Sequence, residues 1–295
     1  MHLACVQGAT GTNIESSICR ADRRSAPNCL MNEHAASPTP PTRVHLKGVP
    51  FSRVGEAEAA AYIVNASKAG FGGVVLAANT DVLRICDEKP EVRAYFERAT
   101  IVTPDGMPII WASKLQGEPL IERLPTSNLI HTMTEAAAKA GVSVYFLGGN
   151  EGVAAAAAER YRKLHPELKV AGSYCPPFGY EKSDDEMSKI RDALRDGHPD
   201  VVYVGLGVPK QERLIEAFRD EFPKTWFMAT GISFSYAAGE LKQAPRWLQA
   251  LGLEWFFRMC QEPRRLIKRY ILQDLPFLFP LFASAIKSRR ARRKG

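Results

Sequence analysis

Six short apolar runs, nearly all ending on glycine or a polar residue, alternate with helical segments and constrain this chain more than any other feature. The runs are GVVLAAN at Gly73–Asn79, TIVTPDG ending at Asp105-Gly106, VSVYFLGG ending at Gly148-Gly149, LKVAGSY ending at Tyr174, PDVVYVGLG ending at Gly205–Gly207, and TWFMATG. Around and between them lie EAEAAAYIVNASKAG, DVLRICDEK with PEVRAYFERA, MPIIWASKLQG, the alanine-rich EGVAAAAAERYRKLHP, SDDEMSKIRDAL and VPKQERLIEAF. Strands alternating with helices predict a mainly parallel sheet covered on both faces. Ahead of them, HLKGVPFSRV reads as a short strand and turn, and Ser183 with Glu186 reads as a capping box. Ligands of such sheets bind outside the carboxyl ends of the strands. Asn79, Asp105, Gly148-Gly149 and Gly205–Gly207 all fall there.

Three regions follow from this pattern. Residues 1–42 carry no periodicity and close on the proline-rich ASPTPPTR, which predicts a disordered extension or a misassigned start. Residues 43–240 form an α/β core, a Rossmann-like, mainly parallel sheet with helices on both faces. Residues 241–295 form a basic, amphipathic helical appendage at the C-terminus. The charge is concentrated there: Glu240–Gly295 holds 13 Lys or Arg and 4 Asp or Glu, a net +9, against +7 for the whole chain. An anionic partner is therefore expected at the tail, and no nucleic acid is expected across the body. Trp247, Trp255, Phe256 and Phe257 stand among Arg246, Arg258, Arg264, Arg265, Lys268 and Arg269, a mixture that suits a phosphate carried on a lipid.

The most apolar stretch, Leu275–Ile286, is 12 residues long, is interrupted by Pro276 and Pro280, and is followed by KSRRARRKG. A spanning helix needs about 20 residues. An apolar segment flanked by cations reads as an interfacial anchor; the other reading is a helix packed on the core with a solvated basic end. The exposed aromatics also point to self-association away from a membrane. Six scattered cysteines form no CxxC pair, so neither a disulfide framework nor a zinc spacing is expected. With no continuous apolar leader, the expected compartment is the cytoplasm.

Several residues carry candidate chemistry. Gly148-Gly149 would let backbone N–H groups approach a phosphate at a helix N-terminus, although glycine is also common at strand–helix turns. The acid that a dinucleotide fingerprint requires at the end of the next strand is missing, which disfavours a nicotinamide cofactor. In Gly207-Val208-Pro209-Lys210-Gln211-Glu212, Pro209 opens a helix without cost. Lys210 opposes the helix dipole there and suggests an anionic ligand, against an exposed polar turn. Asp105 could take a proton from an attacking hydroxyl, but Asp-Gly is a common turn pair and on local grounds the turn reading prevails. Asp184-Asp185 are better read as helix N-terminal acids than as metal ligands, and no histidine has a metal or catalytic spacing. Arg264, Arg265, Lys268 and Arg269 would cluster on one broad helix face, where arginine forks match phosphate oxygens.

Taken together, these blocks resemble the bacterial WecG/TagA/CpsF glycosyltransferases, glycosyltransferase family 26. The resemblance runs from about Val44 to Tyr270. It rests on Asn79, Pro104-Asp105-Gly106, Trp111-Ala112, Phe146–Gly149, Gly205–Glu212, Ala244–Trp247, Leu251–Trp255 and Gln261–Leu266. It implies an inverting transferase without metal or other cofactor, moving a sugar from a UDP-sugar to a saccharide on a polyprenyl diphosphate in cell-surface or exopolysaccharide synthesis. Such an enzyme would sit peripherally at the inner face of the plasma membrane. The resemblance makes Asp105 the base. It makes Asn79, Gly148, Gly149, Gly207, Pro209, Lys210, Gln211 and Glu212 substrate-binding, together with Arg258, Arg264, Arg265 and Arg269 of an appendage that completes the active site. The chain departs from the family pattern at Ala77 (Thr), Asn128 (Asp in Thr-Gly-x-Asp-Leu), Ser235 (Asp in Phe-Asp-Phe) and Gln243 (Arg in Lys-Arg-Ala-Pro). Those departures also allow a non-catalytic relative that holds nucleotide sugar or lipid phosphate and organises synthases.

Overall fold

The computed structural model describes residues 38–245, 247–248 and 252–294, the side chain of Arg265 excepted. The segment expected to be disordered lies outside them up to residue 37, and residues 38–42 lead into the first strand. There the Tyr62 hydroxyl donates to the Pro38 carbonyl at 3.0 Å.

The first elements form a hairpin, β1 (Arg43–Leu46) and β2 (Val49–Ser52), paired antiparallel with Leu46 opposite Val49. Its two-residue turn needs positive φ at both positions, and Lys47 and Gly48 take +50° and +83°. The body then runs α1 (Glu56–Lys68), β3 (Gly73–Ala78), α2 (Thr80–Glu88), α3 (Pro90–Arg98), β4 (Ile101–Pro104), α4 (Met107–Gln116) and α5 (Thr126–Ala140). It continues with β5 (Ser143–Gly148), α6 (Val153–Leu164), β6 (Lys169–Tyr174), α7 (Asp184–Gly197), β7 (Val201–Gly205), α8 (Lys210–Phe218), β8 (Trp226–Ala229) and α9 (Ser233–Ala238). Strands β3 to β8 form one parallel sheet in the order β4-β3-β8-β7-β5-β6. The α/β expectation holds, with helices on both faces.

Alternation along each strand divides the core in two. Val74, Leu76, Val102, Leu147, Val202, Val204 and Phe227 face one side, against α2, α3, α4, α7, α8 and the hairpin. Val75, Ile101, Phe146, Val201, Tyr203, Trp226 and Met228 face the other, against α1, α5, α6 and α9. Helix α5, TSNLIHTMTEAAAKA, has no counterpart in the sequence reading; it buries Leu129, Ile130, Met133 and Ala137 in this second core. The capping box at α7 is half formed. Ser183 Oγ accepts the Glu186 N–H at 3.3 Å, but the Glu186 carboxylate turns to the Tyr174 hydroxyl and Lys189. The Ser183 N–H goes to the Tyr180 carbonyl instead.

Beyond the sheet the tail forms α10 (Glu254–Gln261), α11 (Pro263–Ile267), a π-helical segment Lys268–Asp274 and α12 (Leu275–Arg292). Phe277, Leu281 and Ala285, four residues apart, are buried in the first core. Arg292 donates to the Gln116 carbonyl at 2.6 Å and pairs with Glu118, closing the end of α12 on the C-terminus of α4. The stretch read as an anchor is thus a core-packed helix along one stripe, while Leu275, Phe279 and Ile286 remain exposed on its outer side. Among the described residues no helix is long and apolar enough to cross a membrane.

Gly148 takes a place different from the one the turn pattern suggests. Its φ is +109°, and a Cβ there would stand 2.6 Å from the Gly205 carbonyl oxygen of β7. The residue is glycine because two backbones meet. Gly148→Ala is expected to lower stability by about 2 kcal/mol or more, read as a shift of the urea midpoint at unchanged slope. A shift of a few tenths of a kcal/mol would mean that β5 and β7 part easily there.

Candidate active site

The strand order reverses around β3, β8 and β7, and a crevice opens over their carboxyl ends. It has two recesses that share Gly207, Gly231 and Ile232 as a common wall. The first, about 630 Å³, is lined by Asn79, Asp105, Arg123, Gln211, Arg258 and Arg269 among others. The second, about 1160 Å³, is lined by Gly149, Cys175, Phe178, Lys210 and Ser235 among others.

Asn79 ends β3 and caps α2, its Oδ1 accepting the Val82 N–H at 3.1 Å. Asp105 follows β4, held by its N–H on the Ala78 carbonyl at 2.9 Å, so the ends of two adjacent strands present these residues side by side. The Asp105 side chain keeps 33% exposure and stands 3.9 Å from Arg123 Nη1. Arg123 spends its hydrogen bond on Glu254 of α10, at 2.9 Å. The tail thereby adds a second carboxylate beside Asp105. Burial, and then the charge of Asp105, push the Glu254 carboxyl up, and Arg123 counters them.

One turn along α10, Arg258 lines the same recess and, among the described residues, has no ion-pair partner within 4 Å. Burial disfavours its charge, but Tyr236, Tyr270, Asp105 and Glu254 more than offset this and raise its pKa. Burial pushes the Tyr236 phenol up to about 12. Thr126 and Ser127 at the first turn of α5 also line the recess, bringing the positive end of a helix to it.

Arg269 is less free. Its Nε is 3.0 Å from Asp81 Oδ2 and 3.7 Å from Asp274, and its Nη2 donates to Asn79 Oδ1 at 3.5 Å. Arg84 joins Asp81 at 2.7 Å, so this cluster ties the π-helical segment to α2. Burial and the neighbouring Asp81 push Asp274 up to about 6. Lys210, at the mouth of the second recess, pairs with Glu181 at 2.8 Å and sits 4.3 Å over the Phe178 ring.

Of the residues singled out in the sequence, Asn79, Asp105, Gly207, Gln211, Arg258 and Arg269 meet in the first recess, and Gly149, Gly207 and Lys210 in the second. Gly148 is held against β7. Pro209 is the N-cap of α8, Arg264 is exposed, and the side chain of Arg265 lies outside the described residues. Glu212 is 1% exposed. One carboxylate oxygen accepts Gln211 Nε2 at 2.9 Å, and the other has no partner among the described residues. Sequence reasoning passed over Arg123, Glu254, Tyr236, Tyr270, Asp81 and Asp274. Arg123 lies in a stretch without periodicity, whereas Glu254 stood inside a motif already noted.

Two departures from the family pattern touch each other. Gln243 Nε2 donates to Asn128 Oδ1 at 2.9 Å. The positions where the pattern has an aspartate and an arginine are both neutral here, and they form a hydrogen bond between α5 and the start of the tail. Ala77 lines the first recess and Ser235 the second. Among the described residues no group of three or more His, Cys, Asp or Glu side chains is gathered as a metal site.

An open parallel sheet with a charged crevice at its carboxyl edge defines an α/β ligand-binding enzyme. The chain belongs to the glycosyl transferase WecG/TagA/CpsF family, whose model matches residues 44–291, and it is a glycosyltransferase. Similar curated proteins include the N-acetylglucosaminyldiphosphoundecaprenol N-acetyl-beta-D-mannosaminyltransferase of Bacillus spizizenii (strain ATCC 23059 / NRRL B-14472 / W23). It is 31% identical over 194 residues, 66% of this chain and 73% of that protein. The protein of the same name in Bacillus subtilis (strain 168) is 27% identical over the same shares.

Two measurements check this geometry. Alanine at either Asn128 or Gln243 is expected to cost about 1 kcal/mol, and the double replacement little more than one alone; additive losses would mean the two side chains do not interact. The second concerns Glu212, whose carboxyl burial pushes up to about 7 from an ordinary 4.5. A raised folded-state value means the stability it confers is full below the ordinary value and is lost as pH rises through about 7. The loss is on the order of 3 kcal/mol. Glu212→Gln removes that term, so the variant is expected to withstand more urea than the parent at pH 8 and no more at pH 4. Parallel stability curves for the two proteins across this range would contradict the assignment.

Proposed function

We propose that this glycosyltransferase moves a sugar from a UDP-sugar to a saccharide carried on a polyprenyl diphosphate, by a metal-independent, inverting displacement with Asp105 as the base. The observation that carries the reading is the presence of Asp105 and Arg258 in one recess. Among the described residues, a carboxylate with no side-chain hydrogen bond and an arginine with no ion-pair partner line it together. The acceptor hydroxyl attacks the anomeric carbon from the side opposite the diphosphate, and Asp105 takes its proton. The bond from that carbon to the diphosphate oxygen breaks, and the anomeric configuration inverts. Charge builds on the departing UDP, where Arg258 and the N-terminus of α5 can meet it. The second recess suits the nucleotide end of the donor through Lys210 at its edge, since the Gly149 N–H is already donated to the Gly205 carbonyl at 2.7 Å.

The lipid side of the reading rests on the rim and on the relatives. Trp111, Trp255, Ile271 and Leu275 line the first recess and are themselves exposed. Three of these stand on the same C-terminal segment as the exposed cations Arg264 and Lys268, a combination that suits peripheral binding at the inner face of a bacterial membrane. The two curated relatives are named for a diphosphoundecaprenol acceptor and an N-acetylmannosaminyl group. On this reading the product belongs to cell-surface or exopolysaccharide synthesis.

The test is transfer of label from a panel of UDP-sugars into lipid-linked acceptor in native membranes. The parent is expected to transfer from one donor. Asp105→Asn should lower turnover about 10²- to 10⁴-fold, and Arg258→Ala about 10²-fold. Transfer that survives Asp105→Asn would move the base elsewhere, and no transfer from any donor with acceptor present would overturn the reading.

A further inference from the structure

Glu212 is a buried carboxyl that packing does not explain. It lies on α8 directly after Gln211 and stays hydrogen-bonded to it, but only Gln211 lines the first recess, while Glu212 is buried behind it. At 1% exposure Glu212 cannot touch a substrate, contrary to the binding role expected for it. Burying a carboxylate with one oxygen unpartnered costs stability that an apolar side chain would not.

Among the described residues its side-chain hydrogen bond is with Gln211, and Gln211 is the link to the site. A carboxamide has two nearly isosteric orientations, with oxygen and nitrogen exchanged. Here both ends select the same one. The Gly231 N–H donates to Gln211 Oε1 at 3.2 Å, which demands an oxygen. The Glu212 carboxylate accepts from Gln211 Nε2 at 2.9 Å, which demands an N–H. Gly231, at φ +53°, follows β8 and belongs to the wall between the two recesses. A flipped Gln211 would set an NH₂ group against the Gly231 N–H and push that wall away.

We propose that Glu212 is a positioning residue for the transfer reaction: by holding the Gln211 carboxamide in one orientation it fixes Gly231, and with it the partition between the recess of Asp105 and the recess at Lys210. The proposal rests on the transferase reading and adds to it how the two substrates are held in register. A partition displaced by about 1 Å suffices to lower turnover by about two orders of magnitude. Two titratable groups feel the charge of Glu212: burial and then that charge push up the Cys86 thiol, on α2, and burial, then Glu181, then Glu212 push up the Tyr180 phenol. The Tyr180 hydroxyl donates to the Lys210 carbonyl at 3.4 Å, so it does not serve the free oxygen.

The experiment compares the parent with Glu212→Leu and Glu212→Gln by urea unfolding at pH 8, by steady-state transfer, and by hydrogen exchange of the Gly231 amide. Leucine removes the acceptor and the buried charge. It should leave the fold at least as stable, lower kcat about 10- to 100-fold, and speed exchange at Gly231. Glutamine keeps an acceptor for Gln211 and should hold kcat within about threefold of the parent, with Gly231 still protected. Stability and turnover that fall together in Glu212→Leu would overturn the proposal. So would a glutamine variant as slow as the leucine one, or Gly231 protection unchanged in both. A parent that transfers nothing overturns the transferase reading instead, and Gly231 exchange in the two variants then still decides the positioning role.

Discussion

A parallel sheet buried on both faces needs apolar side chains pointing both ways and helices on each side. Here that requirement orders the molecule. Because β3 to β8 run in one direction, their carboxyl ends share one edge, and the polar residues that stop each strand collect there. Asn79, Asp105, Gly207 and Thr230 come from different parts of the chain but from one edge of one sheet. The sheet contributes the floor of the site. The tail contributes much of its charge, through Glu254, Arg258 and Arg269.

The charges of the site are arranged as competing claims. Arg123 stands between Asp105 and Glu254 and bonds the latter; Arg269 stands between Asp81 and Asp274. Arg258 alone of the three is not spoken for by a carboxylate within 4 Å among the described residues. A tail that looks uniformly cationic in composition is therefore uneven in effect: part of its charge holds the tail on α2 and on the loop before α5, and part faces the recess.

The strands were legible because each is an unbroken apolar run, and the strand-end residues were legible because a parallel sheet predicts where they go. The hidden parts have physical reasons. Helix α5 opens after Pro125 with Thr126-Ser127-Asn128, a turn-like start, and its apolar stripe is diluted by alanine. Arg123 and Glu254 are 131 residues apart, and nothing local marks either as the partner of the other. Glu212 and Gln211 are adjacent in one motif and stay hydrogen-bonded, yet Gln211 lines the recess and Glu212 is buried behind it, a difference that adjacency in sequence does not reveal. Gly148 and Gly149 look alike in the sequence and both meet Gly205 of β7, one by close backbone approach and the other by donating its N–H to the Gly205 carbonyl at 2.7 Å; of the two, Gly149 also lines a recess.

The neutral contact between Asn128 and Gln243 bears on the setting in which the tail would hold. An ion pair at those positions would weaken as counterions gather, and counterions gather where a surface carries fixed charge. A hydrogen bond between two carboxamides has no net charge to screen and no proton to exchange near neutrality. The bond from Gln243 to α5 is therefore indifferent to ionic strength and to local acidity, unlike the ion pairs of Glu254, Arg269 and Arg292 further along the chain.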